Sequence, residues 1–137
     1  MNAFSTIRQF GSLATSVAAL GLMLAVTEPV MSAELIKSGT FYGQSDHITK
    51  GTVMIEKRDG KTLVTLSEDF YLDGAPAPTL GFSNKGKFQP LTEFSKLKSL
   101  RGKQVYELPA GIMAAAFDTF TVWCSKFSVP LGSAKLS

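Results

Sequence analysis

From residue 35 onward, apolar and polar positions alternate over short stretches that are separated by turn-forming residues. The clearest stretch surrounds Asp59-Gly60, a dipeptide that suits a two-residue type I′ turn because both central positions need a positive φ. With that turn in place, Ile55 faces Val64, and a second apolar pair lies on the same face two residues farther from the turn. The pattern therefore predicts a hairpin with strands over 52–57 and 62–67.

Five further segments have the composition of β-strands. They are 36–42, 79–82, 104–108, 120–125 and 127–131. The prolines of 73–78 cannot donate to a β-ladder, so that segment is predicted to be an irregular crossing. The lysine-rich segment 83–102 is predicted to be a long exposed loop with one short helical turn near 91–97, and 109–117 to make one turn of helix. About seven short strands predict an all-β fold, an antiparallel β-sandwich or small barrel.

The first 33 residues follow a different pattern. Arg8 and the amino terminus form a positive end, 13–26 is an uninterrupted run of apolar and small residues, and Ala33 provides a small residue at a cleavage position. This order predicts a secretory signal peptide over 1–33, cleaved in the mature protein. A membrane anchor is the weaker interpretation, because a spanning helix needs about 20 apolar residues. Residues 34–137 are then expected to form a single domain.

Composition limits the classes of function. Of the 137 residues, 45% are hydrophobic and 18% are charged, which excludes an intrinsically disordered chain. A net charge of +3 is too small to indicate a nucleic-acid partner. The signal peptide predicts a periplasmic or extracellular protein, without stable membrane insertion after cleavage. One cysteine rules out a disulfide within the chain, and one histidine rules out metal sites that need two imidazoles.

Sequence marks spread over about 37–136 resemble the DM-thirteen domain family, a Skeletor-type domain labelled as an electron-transfer domain. The marks are Gly39-Thr40-Phe41, His47 before Gly51, Phe70, Asp73-Gly74 leading into Pro76 and Pro78, Leu108-Pro109, Trp123-Cys124, Phe127, Gly132, and Ala134 to Leu136. Their order, which ends in Trp-Cys and a Phe-then-Gly strand, carries the resemblance. Many members have an acidic residue where this chain has Thr79, so no ligand role is carried over to that position.

The resemblance implies a redox function that depends on one cysteine in the last sheet, acting as a free thiol or holding a prosthetic group such as haem. Transferred to this chain, it implies an exported electron-transfer domain that uses Cys124, with His47 as a second candidate ligand and an unknown redox or cell-surface partner. It is not expected to be a stand-alone enzyme. The alternative is a non-catalytic binding module in which Cys124 is structural and a basic cluster meets an anionic surface polymer. That cluster is Lys96, Lys98, Arg101 and Lys103.

The neighbours of Cys124 have opposing effects on its reactivity, which belongs to the thiolate form. On an extended strand, Lys126 would project to the same side about 7 Å along and favour the thiolate. Phe120 and Val122 share that side as well, and their desolvation of the sulfur opposes ionisation. Most unpaired cysteines are small buried hydrophobes. Trp123 alternates out of phase with Cys124 and is predicted to be a core aromatic residue.

Cofactor chemistry can be narrowed from the residues present. No Cys-x-x-Cys-His motif exists for c-type haem, and a single histidine excludes blue copper. Three possibilities stay open: non-covalent haem held by Cys124 or His47, a mononuclear metal site that adds Met54 or Met113, and thiol chemistry that needs no cofactor but requires a partner thiol. His47 lies in a polar loop, where hydrogen bonding to a neighbour is the ordinary outcome.

Overall fold

The computed structural model describes Gly21 and residues 32–137 of the chain. Apart from Gly21, Ser32 and Ala33, the predicted signal peptide lies outside the described residues. Within them, no helix has the length and apolar character needed to cross a membrane.

The described part of the chain is built from eleven β-strands that pair in antiparallel fashion. They are β1 (Glu34–Gly43), β2 (Thr49–Lys50), β3 (Thr52–Arg58), β4 (Lys61–Leu66), β5 (Tyr71–Leu72), β6 (Pro78–Asn84), β7 (Lys87–Gln89), β8 (Ser95–Lys96), β9 (Gln104–Leu108), β10 (Thr119–Cys124) and β11 (Val129–Lys135). Two 3₁₀ turns, Pro90–Thr92 and Ala114–Ala116, lie in the connections.

Eight strands form one curled sheet in the order β7-β6-β10-β11-β1-β3-β4-β9, with β8 paired to β6 and β2 paired separately to β5. The predicted all-β fold is therefore confirmed, as a half-barrel with a sandwich-like interior. The hairpin is confirmed in its register as well, since Ile55 pairs with Val64. Asp59 and Gly60 at its turn have φ angles of 53° and 75°, as a type I′ turn requires.

The inner face of the curled sheet carries the hydrophobic core, which is rich in aromatic side chains. Phe120 of β10 is fully buried and meets Phe82 edge-to-face with ring centroids 5.3 Å apart. Phe94 and Tyr106 lie 6.3 Å apart, so the β8 region and the terminal strand β9 meet across the interior. Burial of these large rings favours the curled sheet over a flat one, because each ring contacts side chains from several strands.

Two predictions near the sheet ends were wrong. The last strand was expected over 127–131, but the chain turns at Ser128, whose φ is 54°, and β11 begins only at Val129. The segment 83–102 was expected to be a loop, but β6 extends to Asn84 and returns into β7 through Lys85-Gly86, both with positive φ. This is a second two-residue hairpin turn of the kind seen at Asp59-Gly60.

The irregular crossing predicted over 73–78 is confirmed for 73–77, which lie between β5 and β6, whereas Pro78 is the first residue of β6. We call residues 73–77 the strap. It contains two positive φ angles, 116° at Gly74 and 49° at Ala77. Ala75 packs against the core, whereas Pro76 and Ala77 are exposed. The strap therefore lies on the surface, directly over the end of the sheet.

Candidate functional site

Cys124 is the last residue of β10 and points to the inner face of the sheet, where only 1% of its surface is exposed. Phe120 and Val122 are buried on the same face, as the alternation predicted. The Sγ atom donates a hydrogen bond to the carbonyl oxygen of Pro76 at 3.3 Å. Because Pro76 is itself exposed, the thiol lies immediately beneath the strap and close to solvent.

The residue after the cysteine holds the same end of the strap. The backbone N–H of Ser125 donates to the carbonyl oxygen of Ala77 at 3.3 Å, and the Ser125 hydroxyl donates to that oxygen at 3.0 Å. Together with the thiol, three hydrogen bonds from the end of β10 meet two adjacent carbonyls of the strap. These three hydrogen bonds hold the strap against the end of β10, directly over the Cys124 sulfur.

His47 holds the opposite end of the strap. Its Nδ1 atom lies 2.8 Å from Oδ1 of Asp73, and the backbone N–H of Ile48 donates to Oδ2 of Asp73 at 3.1 Å. The hydrogen bond with His47, followed by that from Ile48, holds the pKa of Asp73 below its ordinary value. His47 is thus hydrogen-bonded to a loop partner, the ordinary outcome for a histidine in a polar loop.

The two candidate residues therefore contact the same segment at different points, His47 at Asp73 and Cys124 at Pro76. Among the described residues, no hydrogen bond joins the imidazole to the thiol. The arrangement is a thiol covered by a strap, with a histidine–aspartate contact at the far end of that strap.

Two expectations about the neighbours of Cys124 were wrong. β10 ends at Cys124, so Lys126 lies in the following exposed turn, with Nζ 5.5 Å from the centroid of the Phe127 ring, and not on a continuing strand. Trp123 is not a core residue. It lies partly exposed on the outer face and stacks on Phe88, with ring centroids 4.1 Å apart and planes 7° apart.

The described side chains do not fit a metal or haem on Cys124 in this closed arrangement. No group of three or more His, Cys, Asp and Glu side chains in the described part of the chain is placed to hold a metal ion. Met54 projects from the outer face of β3, opposite to the face that buries Val53 and Ile55, and Met113 is 70% exposed. A haem iron needs free space beside the sulfur, and the Pro76 carbonyl occupies the contact position.

Two side chains of the predicted basic cluster are held against the domain. The Nζ atom of Lys98 donates to the carbonyl oxygen of Val105 at 2.8 Å and lies 4.5 Å from the centroid of the Tyr106 ring. The guanidinium of Arg101 lies 4.9 Å from the Tyr71 ring centroid. These internal contacts weaken the case for this cluster as a polymer-binding surface.

The chain was compared with family models, curated proteins and solved structures. A family model described as electron transfer DM13 matches residues 40–136. No curated protein and no solved structure matches the chain. The matched range contains Cys124, His47 and the whole strap.

Proposed function

Since this chain belongs to the electron transfer DM13 family, we propose that it is an exported redox module whose working group is the thiol of Cys124. The family description supports a redox role for the domain. The observation that carries the assignment to a residue is the position of Sγ, one hydrogen bond beneath an exposed, irregular segment. A sulfur in that position is protected while the strap is closed and becomes accessible when the strap lifts.

The chemistry that suits a lone thiol is exchange with the disulfide of a partner. The Cys124 thiol first loses its proton, and the resulting thiolate attacks one sulfur of the partner disulfide. The S–S bond of the partner breaks, a new S–S bond joins the partner to Cys124, and the leaving sulfur departs with the electron pair and takes up a proton. The chain has no second cysteine, so release of the mixed disulfide requires a thiol from outside the chain.

Local opening of the strap is physically reasonable because few apolar contacts hold it. Ala75 is the one strap residue that packs against the core. The other contacts of the strap are hydrogen bonds at its two ends. Segments of this kind open at a lower free energy than the strands of the core. The sheet therefore stays folded while the sulfur is uncovered.

Export is part of the same proposal and is supported by the residue pattern of 1–33. The mature domain would begin at residue 34 and act in the periplasm or outside the cell. Amino-terminal sequencing of the protein recovered from its producing cells tests this directly. A first residue of Glu34 is expected, and an intact residue 1 would contradict cleavage.

The redox assignment is tested with glutathione disulfide as a probe for thiol exchange. The folded protein is incubated with the probe, and intact mass and circular dichroism are recorded. One glutathionyl adduct per chain is expected without loss of β-sheet signal, reversible by added thiol and absent in Cys124→Ser. If the adduct forms only in denaturant, the thiol is a packing group and the binding-module alternative stands.

A further inference from the structure

The outer face of the curled sheet, on the side opposite to the Cys124 side chain, carries a groove of about 660 Å³. Residues of β1, β6, β7, β10 and β11 and of the β6–β7 turn line it. Small-molecule sites in proteins commonly have volumes of ~300–1,000 Å³, so the groove is large enough for a ring-sized ligand. It is lined by neither His47 nor the strap.

One wall of the groove consists of the stacked rings of Trp123 and Phe88. Phe88 reaches Trp123 by passing over Gly81 of β6, where a Cβ atom would lie 2.7 Å from Cε2 of Phe88. The absence of a side chain at Gly81 therefore makes room for the stacked pair. Tyr42, which is 45% exposed, adds a third aromatic ring to the lining from β1. The result is a pre-formed apolar surface suited to the face of a ring.

The floor of the groove is polar. Ser83 and Ser133 line it, and the Ser83 hydroxyl shares a buried hydrogen bond of 2.7 Å with the hydroxyl of Thr121 beneath the floor. The Ser133 hydroxyl donates to the side-chain oxygen of Gln44. The amide nitrogen of Gln44 has no hydrogen-bond partner among the described residues, so it is free to donate to a ligand.

The rim carries two cationic side chains, Lys85 and Lys135, and one carboxylate, that of Asp118. The side chains of Lys85 and Lys135 are exposed, and neither Nζ forms an ion pair or hydrogen bond within the part of the chain that the structure describes. Asp118 accepts a hydrogen bond at Oδ2 from the backbone N–H of Lys85 at 2.9 Å and one at Oδ1 from Thr119. These hydrogen bonds, followed by the charges of Lys37 and Lys135, lower the pKa of Asp118, so the carboxylate offsets part of the positive charge and the two lysines outnumber it on the rim. The Asp118 N–H donates to Asn84 at 2.9 Å, so the turn that carries Lys85 is fixed in place.

We propose that this groove binds a pyranose ring that carries a carboxylate, such as a uronate unit of an acidic polysaccharide. The C–H face of the sugar lies against the aromatic wall, its hydroxyls meet the amide of Gln44, and its carboxylate meets Lys85 and Lys135. A flat hydrocarbon ring would use the wall alone and would desolvate the Gln44 amide without replacing its hydrogen bonds. The proposal goes beyond the redox role and does not depend on Cys124.

The chain offers a built-in probe, because Trp123 is its only tryptophan and lines the groove. Fluorescence of Trp123 is followed while the protein is titrated with an oligogalacturonate and, separately, with a neutral cello-oligosaccharide of the same length. The oligogalacturonate is expected to give a saturable change, and the neutral sugar to bind about tenfold more weakly. Cys124→Ser is expected to leave both titrations unchanged.

Reversing the charge of the two rim lysines tests whether the oligogalacturonate binds in this groove. The double variant Lys85→Glu/Lys135→Glu should raise the Kd for oligogalacturonate about tenfold or more. The matched double variant Lys50→Glu/Lys57→Glu makes the same charge change away from the groove and from the basic cluster, and should leave the Kd unchanged. All four lysines are exposed, so the fold is retained, which circular dichroism verifies. A missing saturable response, an equal loss in both double variants, or equal affinity for the neutral sugar would each overturn the proposal.

Discussion

Replacement of Cys124 by serine or alanine probes how the sulfur is held. A C–O bond is shorter than a C–S bond, so a serine hydroxyl would lie farther from the Pro76 carbonyl than the 3.3 Å of Sγ. At that separation a hydrogen bond is weak, and the hydroxyl would face the buried side chains of Phe120 and Val122. We expect Cys124→Ser to lower the free energy of unfolding by about 1–2 kcal/mol. This is the lower part of the range for a poorly hydrogen-bonded buried hydroxyl, because the Pro76 carbonyl lies nearby as an acceptor.

Cys124→Ala removes one heavy atom from the same site and should cost about 1 kcal/mol, as small core deletions do. For a domain of this size, each kcal/mol corresponds to about 4–8 °C in Tm. Val122→Ala, on the same face of β10, is the matched control and should cost about 2 kcal/mol, because two buried methyl groups are lost.

The assay is thermal and urea unfolding of the three variants, followed by circular dichroism. Both Cys124 variants should remain folded at room temperature and lose adduct formation with glutathione disulfide. A loss of more than about 4 kcal/mol in Cys124→Ser would show that the sulfur is a structural centre of the fold, which contradicts the small cost expected from one weakened hydrogen bond and one buried hydroxyl.

Three further outcomes follow from other contacts. The pKa of Asp73 in the folded protein lies below its ordinary 3.8, so its carboxylate stabilises the fold above that pH, and this stabilisation is lost as the pH falls through the folded pKa. In Asp73→Asn, the urea midpoint should no longer show this loss at acid pH. A variant whose midpoint depends on pH as the wild type does would contradict the prediction. Burial raises the pKa of Tyr106 above 10.0, so its contribution is present below that pH and lost as the pH rises through the folded pKa; Tyr106→Phe should abolish this alkaline loss. Gly51 has a φ of 105°, and a Cβ there would lie 2.7 Å from Cα of Phe70, so Gly51→Ala should destabilise by about 1–3 kcal/mol or more, and a wild-type Tm would refute the close approach.

The parts of the fold that the sequence predicted well are those specified by neighbours along the chain. Asp59-Gly60 sets its own turn, and the alternation on either side sets the register, so Ile55 pairs with Val64 as expected. β9 was likewise predicted at its observed bounds, because a short run with β-type residues lies between Gly102 and Pro109, which end it on either side.

Features that depend on distant parts of the chain could not be predicted in this way. Alternation placed Trp123 and Cys124 on opposite faces of β10, but it did not say which face is the core. Trp123 lies on the outer face, where Phe88 of β7 stacks on it and passes over Gly81, and the sequence analysis had predicted a loop in place of β7. The Lys85-Gly86 turn uses the same positive φ angles as Asp59-Gly60, but lysine is a weaker turn signal than aspartate.

For the candidate site, the sequence identified the residues but not their contacts. Cys124 and Pro76 are 48 positions apart, and His47 and Asp73 are 26 apart. The prolines predicted an irregular crossing, but nothing in their spacing indicates that the crossing lies over the thiol. That contact arises only when β6 pairs with β10 and brings the strap to the end of the sheet.

The most direct test compares two rates in the folded protein, the rate at which a small thiol reagent labels Cys124 and the rate of global unfolding. If the strap uncovers the sulfur while the sheet stays folded, labelling is faster than unfolding. It should become faster still in Asp73→Asn, in which the His47 contact is weakened, without a matching change in the unfolding rate. Labelling that follows the unfolding rate at every denaturant concentration, in both proteins, would show that the thiol is reached only from the unfolded chain and would contradict the redox role.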